Sequence, residues 1–565
     1  MPSLKSRVRA LSLHLQDNES KDKAIKVRPS KERHGRSLAV DLRHVSKLYY
    51  TPETPPLDSA GLDKPQPILQ PAPSPTVSAP RSRPPSRPPI NPLRDSSLLP
   101  VPSIRFDRGD DELSLALAAF TQANPQYRAT VELNRIRKMY YRRLDETGQV
   151  YLDYTGGSLY PSHLIDWHHA LLSRGVFARR AVLDFLDADP DEFEVIFTPN
   201  ATGGLKIVTE NYPFKGKRLV GAMDAHNSVN RMACTARKAG GTVDMVELEE
   251  ESLTVDNTKM EDVLRTNPEF DPNPGLVFFT GQSNVTGAKA KPWWFALARQ
   301  YGWHTGLDAS ALAPTTPISL RQNPVDFLVI SIYKIIGYPT GVGALVLRKE
   351  ARKSLLVRST FTGGTIDAVD PVDNRFRLYD SPSAFEDGTI NYLSLPAVAP
   401  GLAFVKPLLT TLSWRLQTLV EYLWRELPRV RYDTGAAVPL IELRGPPPGP
   451  ERGATLSLLF YAPDGMLAPY KFVVWAAARQ NISVRGGPCL CNPGAATCVM
   501  RGIGFEDWQK TVLSESGIIR ISLGIASNFE DCFLFLRFCR QLATVAFYQQ
   551  EYAAWKAMVG QERAY

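Results

Sequence analysis

From Tyr151 onward, short apolar runs alternate with stretches whose apolar residues recur at helical spacing. The runs predict strands at Glu194–Thr198, Arg218–Met223, Thr242–Leu248, Gly275–Thr280, Thr305–Asp308, Asp326–Ser331 and Val342–Arg348. Between them, helical patterns cover Ala201–Glu210, Val229–Ala239, Lys259–Arg265 and Pro292–Tyr301. Short apolar strands alternating with helices imply an α/β fold, with a mostly parallel seven-stranded sheet covered on both faces. After about Phe404 the pattern changes to a long helix near Leu408–Glu426 and strands around Leu440–Leu443 and Ala454–Phe460. A helix at Leu467–Arg479 and a terminal helix beyond Asn528 then predict a smaller C-terminal α+β domain. Ahead of the sheet, helical patterning covers Asp111–Gln122 and Thr130–Leu144.

The first hundred residues differ in kind. Residues 51–100 hold 15 of the 46 prolines, including Arg81-Ser-Arg-Pro-Pro-Ser-Arg-Pro-Pro-Ile90, a composition that forms neither helices nor sheet ladders. The expected organisation is a disordered basic tail over 1–104, a helical segment over 105–150, a large domain over 151–405, a small domain over 406–550 and a tail from 551. Charge follows the same division. Residues 1–100 carry 17 Lys/Arg against 9 Asp/Glu, which accounts for the net +8, and the rest carries 49 of each sign. The folded body is therefore neutral, which disfavours nucleic acid as partner. No run approaches the ~20 apolar residues of a membrane span, and Met1–Gln16 lacks the continuous apolar core of a secretory signal. Leu4, Val8, Leu11 and Leu15 share one helical face with Lys5, Arg7 and Arg9 nearby, a pattern that mitochondrial presequences also show. The expected location is cytoplasmic, with the mitochondrion as the alternative. Six cysteines in so long a chain do not make a disulfide framework, and Cys489, Cys491 and Cys498 fall within ten residues.

Candidate chemistry centres on Lys334, which follows the strand pattern Asp326-Phe-Leu-Val-Ile-Ser331 and precedes a Gly/Pro turn. Asp308 closes another apolar run twenty-six residues earlier. A lysine and an acid at adjacent strand ends suit pyridoxal phosphate (PLP), where the amine forms a Schiff base and the carboxylate keeps the pyridinium nitrogen protonated. Phe197-Thr-Pro-Asn-Ala-Thr202-Gly-Gly runs from a strand into a helix and offers free backbone N–H groups for a phosphate, or is an ordinary turn. His226, just past a strand in Asp224-Ala-His226-Asn-Ser, suits ring stacking or proton transfer. Asn284, in Gln282-Ser-Asn284-Val-Thr-Gly287, has an amide to donate to the cofactor's phenolic oxygen. Arg520 is a charge inside the apolar strand pattern Ile518-Ile-Arg520-Ile-Ser. It requires a carboxylate, from substrate or from a structural ion pair. Cys489-x-Cys491 has no second cysteine pair or nearby histidine to complete a zinc site, and no metal is expected.

Together these segments resemble the class V aminotransferase-like, fold-type I PLP enzymes, and within them the cysteine-desulfurase domain of eukaryotic molybdenum-cofactor sulfurases. The resemblance rests on Tyr151-Leu-Asp-Tyr-Thr-Gly-Gly, Gln282-Ser-Asn284 and Ser331-Ile-Tyr-Lys334-Ile-Ile-Gly-Tyr-Pro-Thr-Gly-Val-Gly-Ala-Leu. Phe361-Thr-Gly-Gly-Thr365, Phe385-Glu-Asp-Gly-Thr-Ile390 and Arg485-Gly-Gly-Pro-Cys-Leu-Cys491-Asn-Pro-Gly-Ala495 complete it, over roughly residues 105–545. It implies Lys334 as the lysine bonded to PLP, Asp308 under the ring nitrogen and His226 over the ring. Phosphate contacts would come from Ala201, Thr202 and Ser331, and Gly364 and Thr365 would reach a partner subunit's cofactor in a homodimer. Arg520 would bind the substrate carboxylate. The implied reaction converts L-cysteine to L-alanine, with sulfur passing to Cys491 or Cys489 as a persulfide and then to an acceptor.

Three departures from the family pattern stand out. Pro488 separates the glycine from Cys489, the family's third cysteine falls at Ala496 with Cys498 displaced by two, and no segment corresponds to the sulfurases' C-terminal cofactor-binding domain. The alternatives are another class V reaction on an amino acid (β-elimination, decarboxylation, epimerisation or aminotransfer) and a catalytically silent PLP-binding scaffold.

Overall fold

The computed structural model describes residues 111–171, 178–265, 274–356, 363–373, 375–434, 438–499 and 516–562, and the tail expected over 1–104 lies outside them. Strand β1 (Val150–Tyr151) precedes the seven strands of the large sheet. These are β2 (Phe193–Thr198), β3 (Arg218–Ala222), β4 (Thr242–Val246), β5 (Gly275–Thr280), β6 (His304–Asp308), β7 (Phe327–Ser331) and β8 (Gly343–Arg348). Their order across the sheet is β2-β8-β7-β6-β5-β3-β4. β3, β4, β5, β6 and β7 pair in parallel, while β8 runs antiparallel to both its neighbours. Every strand lies within two residues of its predicted span. The reason is burial: all residues of β2 and β7 are buried, so these strands read as apolar runs rather than alternations.

Crossover helices cover the sheet, among them Ala201–Asn211, Asn257–Leu264 and Pro292–Gln300. The helix expected over Val229–Ala239 is two pieces, Asn227–Asn230 and Met232–Lys238, separated at Arg231. The first begins early because the His226 side chain caps it, accepting from the Ser228 N–H. At the other end of the sheet's first crossover, Gly343 lies so close to Asn200 that a Cβ would meet the Asn200 Cα at 2.5 Å. That contact brings the start of β8 against the N-terminus of Ala201–Asn211.

Four further strands went unpredicted. β9 (Ile366–Asp370) and β10 (Arg375–Leu378) form an antiparallel hairpin. β11 (Ile441–Arg444), β12 (Thr455–Phe460), β14 (Arg485–Gly487) and β15 (Ile518–Ser522) build a small antiparallel sheet in the order β11-β12-β15-β14; of these, β14 was missed and the others were anticipated. β13 (Ile482–Ser483) pairs in parallel with β1, and Asp153 bridges to Ser522. The segment 150–153 therefore lies along the small sheet, although it precedes the large one in sequence.

Helices Val131–Tyr140 and Phe529–Leu542 are tied by a buried ion pair, in which Arg137 donates through Nη1 and Nη2 to Asp531 at 2.6 and 3.1 Å. The helical stretch Leu395–Arg429 is long and apolar enough to cross a membrane by length and composition, contrary to the sequence expectation. Its Leu409, Leu412, Leu416, Leu419 and Leu423 are instead buried in the protein core. Helix Val545–Glu562 continues through the stretch expected to be a C-terminal tail, burying Tyr548 and Trp555 against Phe472.

Candidate active site

The C-terminal ends of β3, β5, β6 and β7 bring together the residues singled out in sequence. Asp308 is the last residue of β6 and is buried, with its Oδ1 accepting from the Ser310 N–H at 3.0 Å. Lys334 stands in the one-turn helix Ile332–Ile336 that follows β7. His226 sits past β3, its Nδ1 2.6 Å from the Ser228 hydroxyl. These three groups act on one another. Burial pushes the Lys334 ammonium below the usual lysine range; Asp308 opposes the shift and Arg520 adds to it. Burial likewise lowers the His226 imidazole, with Lys334 lowering it further and Asp308 working against both. A lysine so depressed has more of the neutral, nucleophilic amine at neutral pH. A pocket reaches Lys334 between Tyr154, Thr155, Gln282, Ser310 and Thr455. Gln282 Oε1 and Ser310 Oγ are buried there without a hydrogen-bond partner.

At the strand–turn–helix motif expected to offer free N–H groups to a phosphate, the Ala201 and Gly203 N–H groups are already engaged within the protein. Asn200 caps helix Ala201–Asn211 by accepting from the Gly203 N–H at 3.0 Å. Ser331 Oγ accepts from the Ala201 N–H at 3.1 Å, so the hydroxyl at the end of β7 lies at the helix's positive end. Thr202 is exposed beside it. Gly364 and Thr365 lie apart, leading into the β9–β10 hairpin, and the buried Thr365 hydroxyl has no partner among the described residues. Phe361 and Thr362 of the same motif lie outside the described residues.

Arg520 has a carboxylate partner from the protein itself. Its Nη2 donates to Asp153 Oδ1 at 2.6 Å and its Nη1 to the Asn284 carbonyl at 3.1 Å. The other oxygen, Asp153 Oδ2, accepts from Arg485 Nε and Nη2 at 2.9 and 2.6 Å. Asp153 thus joins two arginines that would otherwise repel. Among the described residues the buried Arg520 Nε has no partner. Sequence reasoning quoted Asp153 and Arg485 inside motifs but gave neither a role. The signal was available in principle, because a guanidinium in an apolar strand demands a carboxylate.

The cysteine turn closes the site. Cys491 is exposed and lies within electrostatic reach of Lys334, Arg485 and Arg520, whereas Cys489 is half-buried against the core. Leu490 and Cys491 have φ of 47° and 60°, the left-handed region that side chains rarely adopt. Asn284 meets this turn: its Nδ2 donates to the Leu490 carbonyl at 2.8 Å, and its Oδ1 accepts from Asn492 at 3.0 Å. The amide expected to face a cofactor oxygen is therefore engaged by the cysteine turn. No cluster of three or more His, Cys, Asp or Glu residues suited to a metal occurs among the described residues.

Residues 144–535 match the family described as Aminotransferase class-V. The chain belongs to that family. It is 29% identical over 470 residues to a molybdenum cofactor sulfurase of Solanum lycopersicum, which covers 72% of this chain and 56% of the relative. A molybdenum cofactor sulfurase of Arabidopsis thaliana is 28% identical over 480 residues, covering 72% and 57%. The chain thus spans little more than half the length of these relatives. Among solved structures, a cysteine desulfurase from Thermococcus onnurineus NA1 superposes with a TM-score of 0.60 at 21% identity, over 72% of this chain and 97% of that one. The cysteine desulfurase CsdA of Escherichia coli gives 0.56 at 18% identity, over 72% and 97%. These likenesses establish the fold-type I architecture. The class-V cofactor is PLP, and the site fits it: a depressed lysine, a buried acid and an imidazole converge at the strand ends, beside a pocket with unpaired polar atoms.

One buried acid in this region has a pH consequence. Burial pushes the Asp224 carboxyl up to about 7 from 3.8, and its Oδ1 has no partner. An acid raised in the folded state holds its proton there while the unfolded chain releases it, so its contribution to stability falls as pH rises between those values. Asp224→Asn is expected to gain stability relative to wild type as pH rises from about 4 to about 7, with the gain levelling off above. Urea unfolding across that range checks this. A difference that stays constant with pH contradicts it.

Proposed function

We propose that this chain is a cysteine desulfurase-like enzyme that takes sulfur from L-cysteine, leaves L-alanine and carries the sulfur as a persulfide on Cys491. The observation that carries the reading is the placement of an exposed thiol within electrostatic reach of the depressed Lys334 and the buried Arg520. Lys334, Asp308, His226, Ala201, Thr202 and Ser331 would hold PLP, with Gly364 and Thr365 contributed across a dimer. When bound, the cofactor supplies an electron sink for the carbanion formed at the substrate Cα.

The chain's own residues do the rest. Arg520 offers its unpaired Nε to the substrate carboxylate, while Asp153 keeps the guanidinium plane fixed. Lys334 Nζ receives the proton from Cα, because burial leaves more of the amine neutral and able to accept one at neutral pH. The Cys491 thiol gives its proton to solvent, and its sulfur attacks the substrate sulfur. An S–S bond forms, the Cβ–S bond breaks, and its electron pair stays on Cβ, which takes up a proton from solvent while Lys334 returns its proton to Cα. The sum is L-cysteine plus Cys491–SH giving L-alanine plus Cys491–S–SH. The carbon is reduced at the expense of the two sulfurs, so no outside oxidant is needed. A sulfur acceptor that reaches the exposed Cys491 completes the cycle.

The same reading calls for two copies. The β9–β10 hairpin exposes Val369, Val372, Phe376 and Tyr379, at 58%, 88%, 43% and 46%, next to Gly364 and Thr365. Apolar side chains exposed on both strands of one hairpin suit an interface, and a second copy is the occupant this reading requires.

Single-turnover incubation of the PLP-loaded protein with L-cysteine tests the chemistry. Wild type and Cys489→Ala should form alanine and one protein persulfide, and Cys491→Ala and Lys334→Ala should form neither. Alanine from Cys491→Ala would move the nucleophile elsewhere, and none from wild type would reject desulfuration. For the assembly, sedimentation should show a dimer for wild type and a monomer for Val372→Asp/Phe376→Asp. A monomeric wild type sinks the dimer.

A further inference from the structure

The cysteine turn is not a free loop among the described residues; it is pinned from three sides. The Leu490 carbonyl accepts from Asn284 Nδ2 at 2.8 Å, and the Cys491 carbonyl accepts from the Asn227 N–H at 2.7 Å. The third pin is Asn492, whose side chain is fully buried. Its Nδ2 donates to the Asp224 carbonyl at 2.5 Å and to Asn284 Oδ1 at 3.0 Å. Its Oδ1 accepts from the Ala495 N–H at 3.2 Å, capping helix Pro493–Val499, and its own N–H donates to the Cys489 carbonyl at 2.7 Å. Two residues on, Gly494 packs so tightly that a Cβ would sit 1.9 Å from the Met223 carbonyl oxygen.

All these contacts converge on the loop Met223–Ser228, which carries His226, and on Asn284, whose carbonyl accepts from Arg520. Two consecutive left-handed residues do not hold that conformation unaided. A buried amide satisfied through both donors and acceptor supplies the missing constraint.

We propose that Asn492 is a positioning residue: it locks the cysteine turn onto the His226 loop and so fixes Cys491 in register with the reacting groups. The catalytic meaning rests on the desulfurase reading, whereas the lock itself does not. Asn284 belongs to the lock as well, so a change at the substrate-side Arg520–Asn284 contact reaches Cys491 through one side chain.

Two variants separate the lock from a plain helix cap. Asn492→Asp retains an oxygen to cap Ala495 but loses both donors. Asn227→Pro removes only the N–H bonded to Cys491, at an exposed first helical position that tolerates proline. The preceding His226, at φ −61° and ψ 151°, already has the backbone that a following proline demands. Hydrogen exchange on the full-length, cofactor-free protein should then quicken roughly tenfold over residues 489–492 in Asn492→Asp, and by a smaller factor in Asn227→Pro. With PLP, both variants should retain cofactor absorbance and L-cysteine binding, while persulfide formation slows about tenfold or more. Wild-type exchange in Asn492→Asp overturns the proposal and leaves Asn492 as a cap. Faster exchange with an undiminished persulfide rate also overturns it, because the turn then needs no fixing. If the wild type forms no persulfide, the desulfurase reading fails and the exchange data alone decide the lock.

Discussion

Asp153 is the carboxylate on which the site's geometry depends. One oxygen holds Arg520, a nearly buried charge in the middle of β15, and the other holds Arg485, the first residue of β14 and the start of the chain's path to the cysteine turn. Two guanidinium groups at such range are tolerable only with a negative charge between them, and removing one partner of a buried pair costs about 3–5 kcal/mol. This also explains why residues 150–153, early in the chain, lie along the small sheet rather than the large one. The carboxylate must arrive where the two arginines are.

Around this clamp the charges are graded by burial. Lys334 and His226 are both driven toward their neutral forms by desolvation, and Asp308 resists in each case without reversing it. A neutral amine is the state in which a lysine bonds to a carbonyl carbon and later exchanges protons. Arg520 remains charged through Asp153 and contributes to depressing Lys334. The Asp153–Arg520 pair and the Lys334 amine are in this sense one electrostatic arrangement.

Much of this was legible along the chain. The seven large strands show as apolar runs because both their faces are covered, and ligand-bearing residues fall at strand ends in such sheets. Lys334, Asp308 and His226 were expected at strand ends on that ground, and the structure puts them there. What escaped notice has specific physical reasons. β1 and β13 are two residues each, too short for any periodicity. β9 and β10 carry alternating charges and are largely exposed, so no buried face marks them. Asp153 and Asn492 looked unremarkable because their partners lie 367 and 268 residues away. Contacts of that separation are created by the fold and leave no local pattern.

The central claim is that Lys334 is the residue to which the cofactor is bonded. Borohydride reduction of the PLP-loaded protein, followed by proteolysis and mass mapping, tests it directly. The account predicts a single pyridoxyl label on Lys334. A label instead on Lys289, whose ammonium burial also depresses, or label spread over surface lysines, would contradict it.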